Sequence, residues 1–353
     1  MRLLVLEGDG IGPEITAAAL EVLAAADAAQ GLGLVRTHRN IGLAALAECG
    51  STLPPDMLDT ARAHDGVLLG PMSNLEYPPK DQGGVNFSAA FRVGLDLYAN
   101  IRPARTRPGL PHRGSDMDLV IMREATEGMY PDRNMVAGSG EFMPTPDVAL
   151  SLRKVTRGAI ERIARDSFDL ARTRRGHVTA VHKANAFRLT DGLFLEAVRD
   201  VAREYPDVTL EEVLVDAMAA LLVRDASRYD VICTTNSYGD ILSDLASELS
   251  GGLGLAGSLN AGTDLAAAQA QHGSAPDIAG QDRANPTSMI LSAAMLLRWH
   301  GMRHDAAPFV AAATAIEAAV DAALADPATR TRDLGGDLGT AAFGRAVAAR
   351  LGG

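Results

Sequence analysis

Asp240 and Asp244, two aspartates one helical turn apart, are the residues whose type and spacing say most about chemistry in this chain of 353 residues. Residues four apart on a helix share a face, with Cβ atoms roughly 5–6 Å apart, so both carboxylates can converge on one small, hard cation. The pair follows an apolar run at 229–234 and a short loop, which is where open α/β sheets bind ligands. The spacing therefore predicts a Mg²⁺ or Mn²⁺ site, and a solvated acidic helix face is the alternative.

Length, composition and charge limit the class of protein. A chain of 353 residues exceeds the size at which one hydrophobic core stops growing, so two lobes are expected. Apolar residues make up 47% of the chain and aromatic residues 4%, which suits a helix-rich α/β protein. The formal net charge of −11 argues against nucleic acid and anionic membranes as partners, because both would be repelled. An anionic substrate would have to be held by a local cluster of arginines.

The sequence also predicts a cytoplasmic protein. The apolar stretch near the N-terminus is too short for a signal peptide, and no apolar run approaches the roughly 18 residues of a membrane span. The two cysteines, Cys49 and Cys233, imply no disulfide framework.

Glycine, proline and apolar periodicity predict the elements that position these residues. A buried strand over 3–6 runs into a glycine loop at 8–13, although its third glycine comes too early for a dinucleotide-binding G-x-G-x-x-G pattern. A helix over 14–29 follows. Between 157 and 234 helices and strands alternate, which predicts a sheet covered by helices on both faces. The polar loop 128–146 is long enough to be functional or to form an arm that binds a partner.

Two serines are predicted to begin helices. Ser88 is a candidate N-cap for a helix over 89–98, and Ser151 for a basic helix that follows it. The string Ser151-Leu-Arg-Lys154 also fits the S-x-x-K nucleophile pattern, but the S-D-N and K-T-G strings that accompany this nucleophile are missing.

Six sequence strings, spread over nearly the whole chain, occur in one order. They are GDGIGPE at 8–14, LYANIRP at 97–103, HKAN at 182–185, VDAM at 215–218, NSYGDILSD at 236–244 and HGSAPDIAGQDRANP at 272–286. Together they resemble the isocitrate/isopropylmalate dehydrogenase family of metal-dependent, β-decarboxylating dehydrogenases. The resemblance implies an α/β fold of two lobes, with a central mixed sheet and an interlobe cleft that holds the active site. It implies a large lobe, 1–97 plus 251–353, with the cofactor loop, and a small lobe, 98–250, with the metal, catalytic and dimer-interface residues.

The resemblance also implies a reaction. The C2 hydroxyl of a (2R)-hydroxy acid is oxidised by hydride transfer to a nicotinamide, CO₂ is lost from C3, and the enol is reprotonated. Asp240 and Asp244 of one subunit and Asp216 of its partner would bind the metal, which implies a homodimer. Lys183, also donated by the partner, would accept the hydroxyl proton, and Tyr130 would protonate the enol carbon.

Further residues match the family's binding positions. Arg92, Arg102 and Arg123 would clamp the substrate carboxylates, because a guanidinium stays charged and pairs bidentately with a carboxylate. Asp277 and Ile278 indicate NAD, since an acid there would repel the 2′-phosphate of NADP. The cofactor-binding residues implied by the resemblance are Asn185, His272, Gly273, Ser274, Ala275, Asp277, Ile278 and Asn285.

The segment before Arg92 bears on the substrate. Isopropylmalate enzymes carry leucines where this chain has Ser88 and Ala89, and isocitrate enzymes carry a Ser and an Asn where it has Asn86 and Ser88. A buried hydroxyl or amide facing an isopropyl group would go unpaired at a cost of roughly 1–3 kcal/mol.

This segment therefore predicts an isocitrate- or homoisocitrate-like substrate, and the string HKANAFRLTDGLFLE at 182–196 also resembles isocitrate and homoisocitrate enzymes more than isopropylmalate ones. Isopropylmalate, malate and tartrate remain alternatives. A non-catalytic regulatory subunit is less favoured, because the predicted catalytic and metal-binding residues are all present. One departure from the family is 269–271, where Gln-Ala-Gln replaces the usual Glu-Pro-Val.

Overall fold

The computed structural model describes residues 1–135 and 138–352, and the chain divides into two compact units. The large lobe comprises Met1–Leu95, Arg107–Pro111 and Gly251–Gly353. The small lobe comprises Asp96–Thr106 and His112–Ser250. The first boundary thus falls after Leu95 rather than after residue 97.

A short segment that the sequence assigned to the small lobe, Arg107–Pro111, belongs to the large lobe. Its contacts give the reason. Arg107 forms an ion pair with Asp321, and Arg330 donates a hydrogen bond of 2.8 Å to the carbonyl of Gly109.

The first part of the large lobe alternates buried strands with helices. The strand that opens it is apolar and almost wholly buried from Leu3 to Leu6, and the following helix begins with a proline in its first turn and ends before Gly31, whose φ of 65° is left-handed. The elements are β1 (Arg2–Leu6), α1 (Gly12–Gln30), β2 (Val35–Arg39), α2 (Leu43–Cys49), α3 (Met57–Arg62), β3 (Gly66–Leu69) and α4 (Phe87–Gly94).

The small lobe contains the alternation that the sequence predicts between 157 and 234, together with a hairpin. Its elements are β4 (Ala99–Arg105), β5 (Asp118–Glu124), β6 (Glu141–Thr145), β7 (Val148–Ser151), α5 (Arg157–Arg172), β8 (His177–His182), α6 (Thr190–Ala202), β9 (Thr209–Leu214), α7 (Val215–Asp225), β10 (Val231–Thr234) and α8 (Asn236–Ser250).

The chain then completes the large lobe with β11 (Leu259–Ala261), β12 (Ala266–Gln269), α9 (Thr287–Arg303), α10 (Ala307–Ala325) and α11 (Thr340–Ala348). Among the described residues, α10 is a helix long and apolar enough to cross a membrane, with a mean hydropathy of 1.5. The expectation that no segment approaches such a span is therefore wrong by length and composition. A buried face of α10, which includes Ile316, Val320 and Leu324, packs against α9 and α1.

Each lobe has its own mixed set of strands. In the large lobe the order is β2-β1-β3-β12-β11, parallel except for the pair β11 and β12. In the small lobe the order is β4-β5-β10-β8-β9, parallel except for β4 and β5. The predicted α/β class is confirmed, and the interlobe cleft stays a prediction.

Local structure differs from the sequence interpretation at both predicted helix caps and in the predicted loop. Asn86, not Ser88, caps α4, because its side-chain oxygen accepts from the backbone N–H of Ala89 at 2.9 Å. Ser151 ends β7 instead of beginning a helix, and α5 starts only at Arg157. The loop 128–146 contains β6 and leads into the exposed hairpin of β6 and β7; residues 136 and 137 lie outside the described part of the chain.

The small-lobe core predicts a measurable stability effect on α8. Leu242 lies between the two aspartates and is fully buried, so Leu242→Ala should lower the free energy of unfolding by about 2–5 kcal/mol. Urea denaturation would measure it. Glu248→Ala, at an exposed position of the same helix, is the control and should change stability by no more than about 0.5 kcal/mol. Equal effects of the two substitutions would contradict this description of the core.

Candidate active site

The parallel strands of the small lobe bring chemically active residues to one edge. Parallel strands end on the same side, and β5, β10, β8 and β9 are all parallel neighbours. Arg123 lies at the end of β5, Lys183 follows β8 and Asp216 follows β9. The end of β10 leads into α8 with its two aspartates. Ligands of open α/β folds bind at such an edge.

Asp240 and Asp244 converge on a single guanidinium. Nη1 of Arg102, a residue of β4, lies 3.2 Å from Oδ1 of Asp240 and 3.2 Å from Oδ1 of Asp244. The Arg102 side chain is only 8% exposed, whereas those of Asp240 and Asp244 are 36% and 51% exposed. A buried cation therefore holds two accessible carboxylates side by side.

Arg123 adds a second buried cation to this cluster. It donates from Nε to Oδ1 of Asn236 at 2.9 Å and pairs through Nη1 with Asp240. Burial, and then the neighbouring charge of Arg102, lowers the pKa of Arg123 to about 10. Gly239 allows this approach, because a Cβ there would lie 2.6 Å from the side chain of Arg123.

Tyr130 joins the same cluster as a proton donor. Its hydroxyl donates to Oδ2 of Asp240 at 2.7 Å, and the guanidinium of Arg133 lies 4.8 Å from the centre of its ring. Burial raises the pKa of Tyr130, Arg123 opposes this shift and Asp240 adds to it. The phenol is therefore held in its protonated form.

The donor set of α8 fits a divalent cation. Carboxylate oxygens are the ligands that Mg²⁺ and Mn²⁺ prefer, and both side chains are accessible. Within the part of the chain that the structure describes, no group of three or more His, Cys, Asp or Glu side chains is placed to hold a metal ion. Asp216 is thus not assembled with Asp240 and Asp244 in one subunit, and the metal role of all three stays a prediction.

Lys183 and Asp216 form a pair of their own. The Lys183 ammonium donates to Oδ1 of Asp216 at 2.6 Å, and this hydrogen bond lowers the pKa of Asp216. The backbone N–H of Lys183 donates to Oδ2 of Asp191 at 2.5 Å, and Asp191 is fully buried in the first turn of α6. The predicted base is therefore held at both its backbone and its side chain.

In the large lobe, α4 is tied to two strands by polar side chains. Ser88 and Arg92 lie four residues apart on α4 and share a face. The hydroxyl of Ser88 donates to Oε1 of Gln269 at 3.0 Å, and Nε of Arg92 donates to Oδ1 of Asn260 at 2.9 Å. Gln269 in turn donates to the carbonyl of Gly70 at 3.3 Å, which orients its amide oxygen toward Ser88.

This geometry corrects one step of the substrate argument. The sequence interpretation held that an isopropyl group would leave the polar side chains of Asn86 and Ser88 unpaired. The Ser88 hydroxyl donates to Gln269 and the Asn86 amide oxygen caps α4, so each side chain already has a partner within the protein. The expected penalty against an apolar substituent is therefore not supported. Gln269, which replaces the family's glutamate, supplies the contact that makes the difference.

The predicted cofactor loop, residues 272–286, packs against the glycine loop after β1. The N–H of Ile11 donates to the carbonyl of Ser274 at 2.8 Å, and the hydroxyl of Ser73 donates to that of Ser274 at 2.9 Å. Asp9 accepts from the N–H of Ser73 at 3.0 Å and from that of Leu43 at 2.7 Å. The carboxyl ends of β1, β3 and β12 thereby meet at one edge, although the glycine spacing alone was weak evidence for nucleotide binding.

The remaining predicted cofactor residues occupy different settings. Nε2 of His272 is buried with no hydrogen-bond partner among the described residues, as expected of an atom that a bound ligand would satisfy. Gly273, Asp277 and Ile278 are exposed or half-buried, Ala275 has a left-handed φ of 38°, and Asn285 donates to Asp333 at 2.9 Å. Asn185 belongs to the small lobe and lies in the exposed turn after Lys183. These settings fit a dinucleotide loop, and each residue's role stays a prediction.

Comparison with known proteins establishes the relationship. The family model described as isocitrate/isopropylmalate dehydrogenase matches residues 2–347. The chain belongs to this family. It is therefore a decarboxylating dehydrogenase that acts on the CH–OH group of a hydroxy acid, in a family that uses NAD(P) and a divalent metal.

Similar family members differ in substrate. The chain is 42% identical to the 3-isopropylmalate dehydrogenase of Salinibacter ruber, over 98% of this chain and 94% of that one. It is 41% identical to the isocitrate/homoisocitrate dehydrogenase of Thermus thermophilus, over 99% and 98%. The crystal structure of isocitrate dehydrogenase from Methylococcus capsulatus matches with a TM-score of 0.85 and 40% identity, covering 100% and 99% of the two chains.

The sequence assigns no contact to several residues that hold the candidate site residues in place. Asn236 and Gln269 contact the predicted arginine and serine directly, and Asp191 holds the Lys183 backbone. Arg153 is part of the Ser151–Lys154 string, which predicts no contact for its side chain. The signal for Asp191 was available, since it follows the HKAN string by a few residues, whereas Arg153 and Gln269 reach their partners only through the tertiary fold.

Gly10 tests the contact between the glycine loop and the cofactor loop. A Cβ at Gly10 would lie 2.0 Å from the carbonyl oxygen of Ser274, and the φ of Gly10 is 58°. Gly10→Ala should displace the cofactor loop and weaken binding of the nicotinamide dinucleotide on the order of tenfold or more, which calorimetric titration would measure. Gly33→Ala is the control, because Gly33 has a similar φ of 63° but no atom within 4 Å of its Cβ position. Equal affinities of the two variants would contradict this contact.

Proposed function

We propose that this enzyme catalyses the NAD-dependent oxidative decarboxylation of a (2R)-hydroxy acid that carries a carboxylate on C3, with an isocitrate- or homoisocitrate-like substrate. The observation that carries the proposal is the cluster of the small lobe. It combines two guanidiniums, a protonated phenol and two accessible carboxylates within hydrogen-bonding distance, namely Arg102, Arg123, Tyr130, Asp240 and Asp244.

The charges of the cluster suit both substrate and metal. In the protein alone the two arginines neutralise the two aspartates. Substrate carboxylates can replace the aspartates as partners of the guanidiniums, which leaves Asp240 and Asp244 to hold a divalent cation. A bound Mg²⁺ or Mn²⁺ supplies Lewis-acid polarisation of the substrate oxygen. Exchange of partners thus binds an anion and a cation at one place without leaving a buried charge unpaired.

Two proton transfers are assigned to residues of this chain. In the protein alone Lys183 is held by Asp191 and paired as an ammonium with Asp216, and it accepts the proton of the substrate hydroxyl after it has left Asp216 and lost its own proton to solvent. A phenol carries its proton at neutral pH, and burial raises the pKa of Tyr130 further, so Tyr130 can protonate the enol carbon after CO₂ is lost. Arg102 and Arg123 orient the carboxylates during both transfers.

A homodimer is part of the proposal, with Lys183 and Asp216 supplied to the partner subunit. The arm formed by β6 and β7 supports it, because large apolar side chains are exposed there. Phe142, Met143, Val148 and Leu150 are 46%, 62%, 43% and 45% exposed. Exposed apolar patches of this kind mark protein interfaces. Close to Lys183, Leu189 is 88% exposed and is a further candidate for burial by a partner.

NAD is proposed as the cofactor because of Asp277. This residue is exposed at the start of a short 3₁₀ turn, where its negative charge would repel the 2′-phosphate of NADP and could accept hydrogen bonds from a ribose hydroxyl. Ser274 and the glycine loop would position the rest of the dinucleotide.

3-Isopropylmalate is a second candidate substrate, favoured by a specific observation. Because Ser88 is already bonded to Gln269, an apolar substituent next to it leaves no hydroxyl unpaired. Malate and tartrate belong to the same reaction class. A non-catalytic subunit is less supported, since Lys183, Tyr130 and the aspartates of α8 are all present.

A panel of acids tests the reaction and the substrate. The purified enzyme with NAD and Mn²⁺ should release NADH and CO₂ with isocitrate or homoisocitrate at a kcat/KM at least about tenfold above those for isopropylmalate, malate and tartrate. Lys183→Met should lose the oxidation with every acid, and it serves as the control for contaminating activity. A higher kcat/KM for isopropylmalate would contradict the isocitrate-like substrate but would still agree with the proposed reaction class.

The cofactor assignment has its own test. Replacing Asp277 by Lys and Ile278 by Tyr removes the repulsion of the 2′-phosphate and adds a cation, so the ratio of kcat/KM for NAD over NADP should fall on the order of a hundredfold. Steady-state kinetics with both cofactors would measure it, and Asp264→Lys, at an exposed position of the same lobe, controls for the added charge. An unchanged ratio would show that Asp277 does not select the cofactor.

A further inference from the structure

Arg153 lies where three parts of the small lobe come together. They are the arm formed by β6 and β7, the turn 183–186 that begins with Lys183 (the Lys183 turn), and α8. Its neighbours Leu152 and Lys154 are bonded through their backbones to Gly140 and Gly128, at the base of the arm. Its side chain is 8% exposed, so the guanidinium is buried rather than solvated.

The buried guanidinium reaches two separate elements. Nη1 forms an ion pair of 2.6 Å with Oδ1 of Asp191, which is fully buried. Nη2 donates to the hydroxyl of Thr235 at 3.1 Å, and Nη1 donates to that of Tyr238 at 3.3 Å. The guanidinium also lies 5.3 Å from the ring centre of Phe187 and 5.0 Å from that of Tyr238, within cation–π range.

The polar partners of Arg153 lie next to residues of the proposed active site. Asp191 accepts from the backbone N–H of Lys183 with its other carboxylate oxygen, at 2.5 Å. Thr235 precedes α8, and Tyr238 lies in its first turn, two residues before Asp240. One guanidinium therefore ties the turn that carries the proton acceptor to the first turn of α8 in the same subunit, although in the proposed dimer that proton acceptor serves the partner's active site.

We propose that Arg153 is a positioning residue that fixes the backbone of Lys183 through Asp191 and is itself anchored by Thr235 and Tyr238 of the same subunit, so that Lys183 is presented to the partner's site from a rigid base. The inference rests on the proposed function for its effect on catalysis. Its structural part, the restraint of the Lys183 backbone, stands by itself.

The energetics of the pair explain why the restraint depends on Arg153. A fully buried carboxylate without a cation is strongly unfavourable, so Asp191 would move toward water or take up a proton once Arg153 is removed. Either change weakens the hydrogen bond from the Lys183 N–H. Misplacement of a reacting group by about 1 Å can cost on the order of a hundredfold in rate.

The test compares Arg153→Met, Arg153→Lys and the double variant Arg153→Met with Asp191→Asn. Arg153→Met should lower kcat about 10- to 100-fold, with KM for the hydroxy acid and NAD within about threefold. Arg153→Lys should recover part of kcat, because it restores the charge but not the fork of donors. The kcat of the double variant should exceed that of Arg153→Met, because a neutral amide in place of the Asp191 carboxylate needs no cation and its oxygen still accepts from the Lys183 N–H.

Amide hydrogen exchange provides a readout that does not depend on activity. A peptide covering the Lys183 turn should exchange at least about tenfold faster in Arg153→Met than in the wild type, with exchange across α5 unchanged. Arg157→Met is the matched control, since Arg157 forms solvent-exposed ion pairs with Glu196 and Asp200. Its exchange and kcat should equal those of the wild type.

Unchanged exchange at Lys183 in a folded Arg153→Met protein would overturn the proposal, as would a kcat within twofold of the wild type. A fall in thermal stability with normal kcat per folded subunit would reduce Arg153 to a structural residue and equally overturn it. If the wild type turned over none of the acids, the proposed function would fail, and the exchange experiment would still decide the role of Arg153.

Discussion

The pairing of Arg102 and Arg123 with Asp240 and Asp244 is the interaction on which the candidate site depends. Two buried guanidiniums repel each other, and the aspartates of α8 compensate them. The protein as a whole carries a net charge of −11, so a local positive cluster is needed before a polyanionic substrate can bind. In the protein alone the pairing holds such a cluster in neutral form.

The parallel strands of the small lobe position the residues of this cluster. Because β5, β8, β9 and β10 run in the same direction, residues far apart in the chain reach one edge. The large lobe uses the same geometry for its glycine loop and its cofactor loop, which meet at the carboxyl ends of β1, β3 and β12. A fold of this kind needs few special side chains, since strand direction does most of the positioning.

Polar residues near a predicted specificity pocket need not face a substrate. Ser88 illustrates this, because its hydroxyl is bonded to Gln269, a residue 181 positions later in the chain. The polarity of a side chain therefore indicates a polar substrate only when the protein leaves that side chain without a partner of its own. Relatives of similar identity act on either isocitrate-type or isopropylmalate substrates, and this segment alone does not separate them.

The sequence by itself determined the family and the α/β class, and it predicted which side chains form the candidate site, because ordered motifs and apolar periodicity are local properties. It also located most helices and strands between 157 and 234, where each element has a strong pattern of its own. It did not reveal β11 and β12, which are short and rich in small residues, nor the hairpin of β6 and β7, whose side chains are exposed.

Only the tertiary structure decided the partners of those side chains. The decisive contacts join residues that are distant in sequence. They are the hydrogen bond from Ser88 to Gln269, the ion pairs of Arg102 with Asp240 and Asp244, and the ion pair of Arg153 with Asp191. Hydrogen bonds and ion pairs act over a few ångströms, so whether they form depends on how the strands align in the fold and not on the separation of the residues in the sequence.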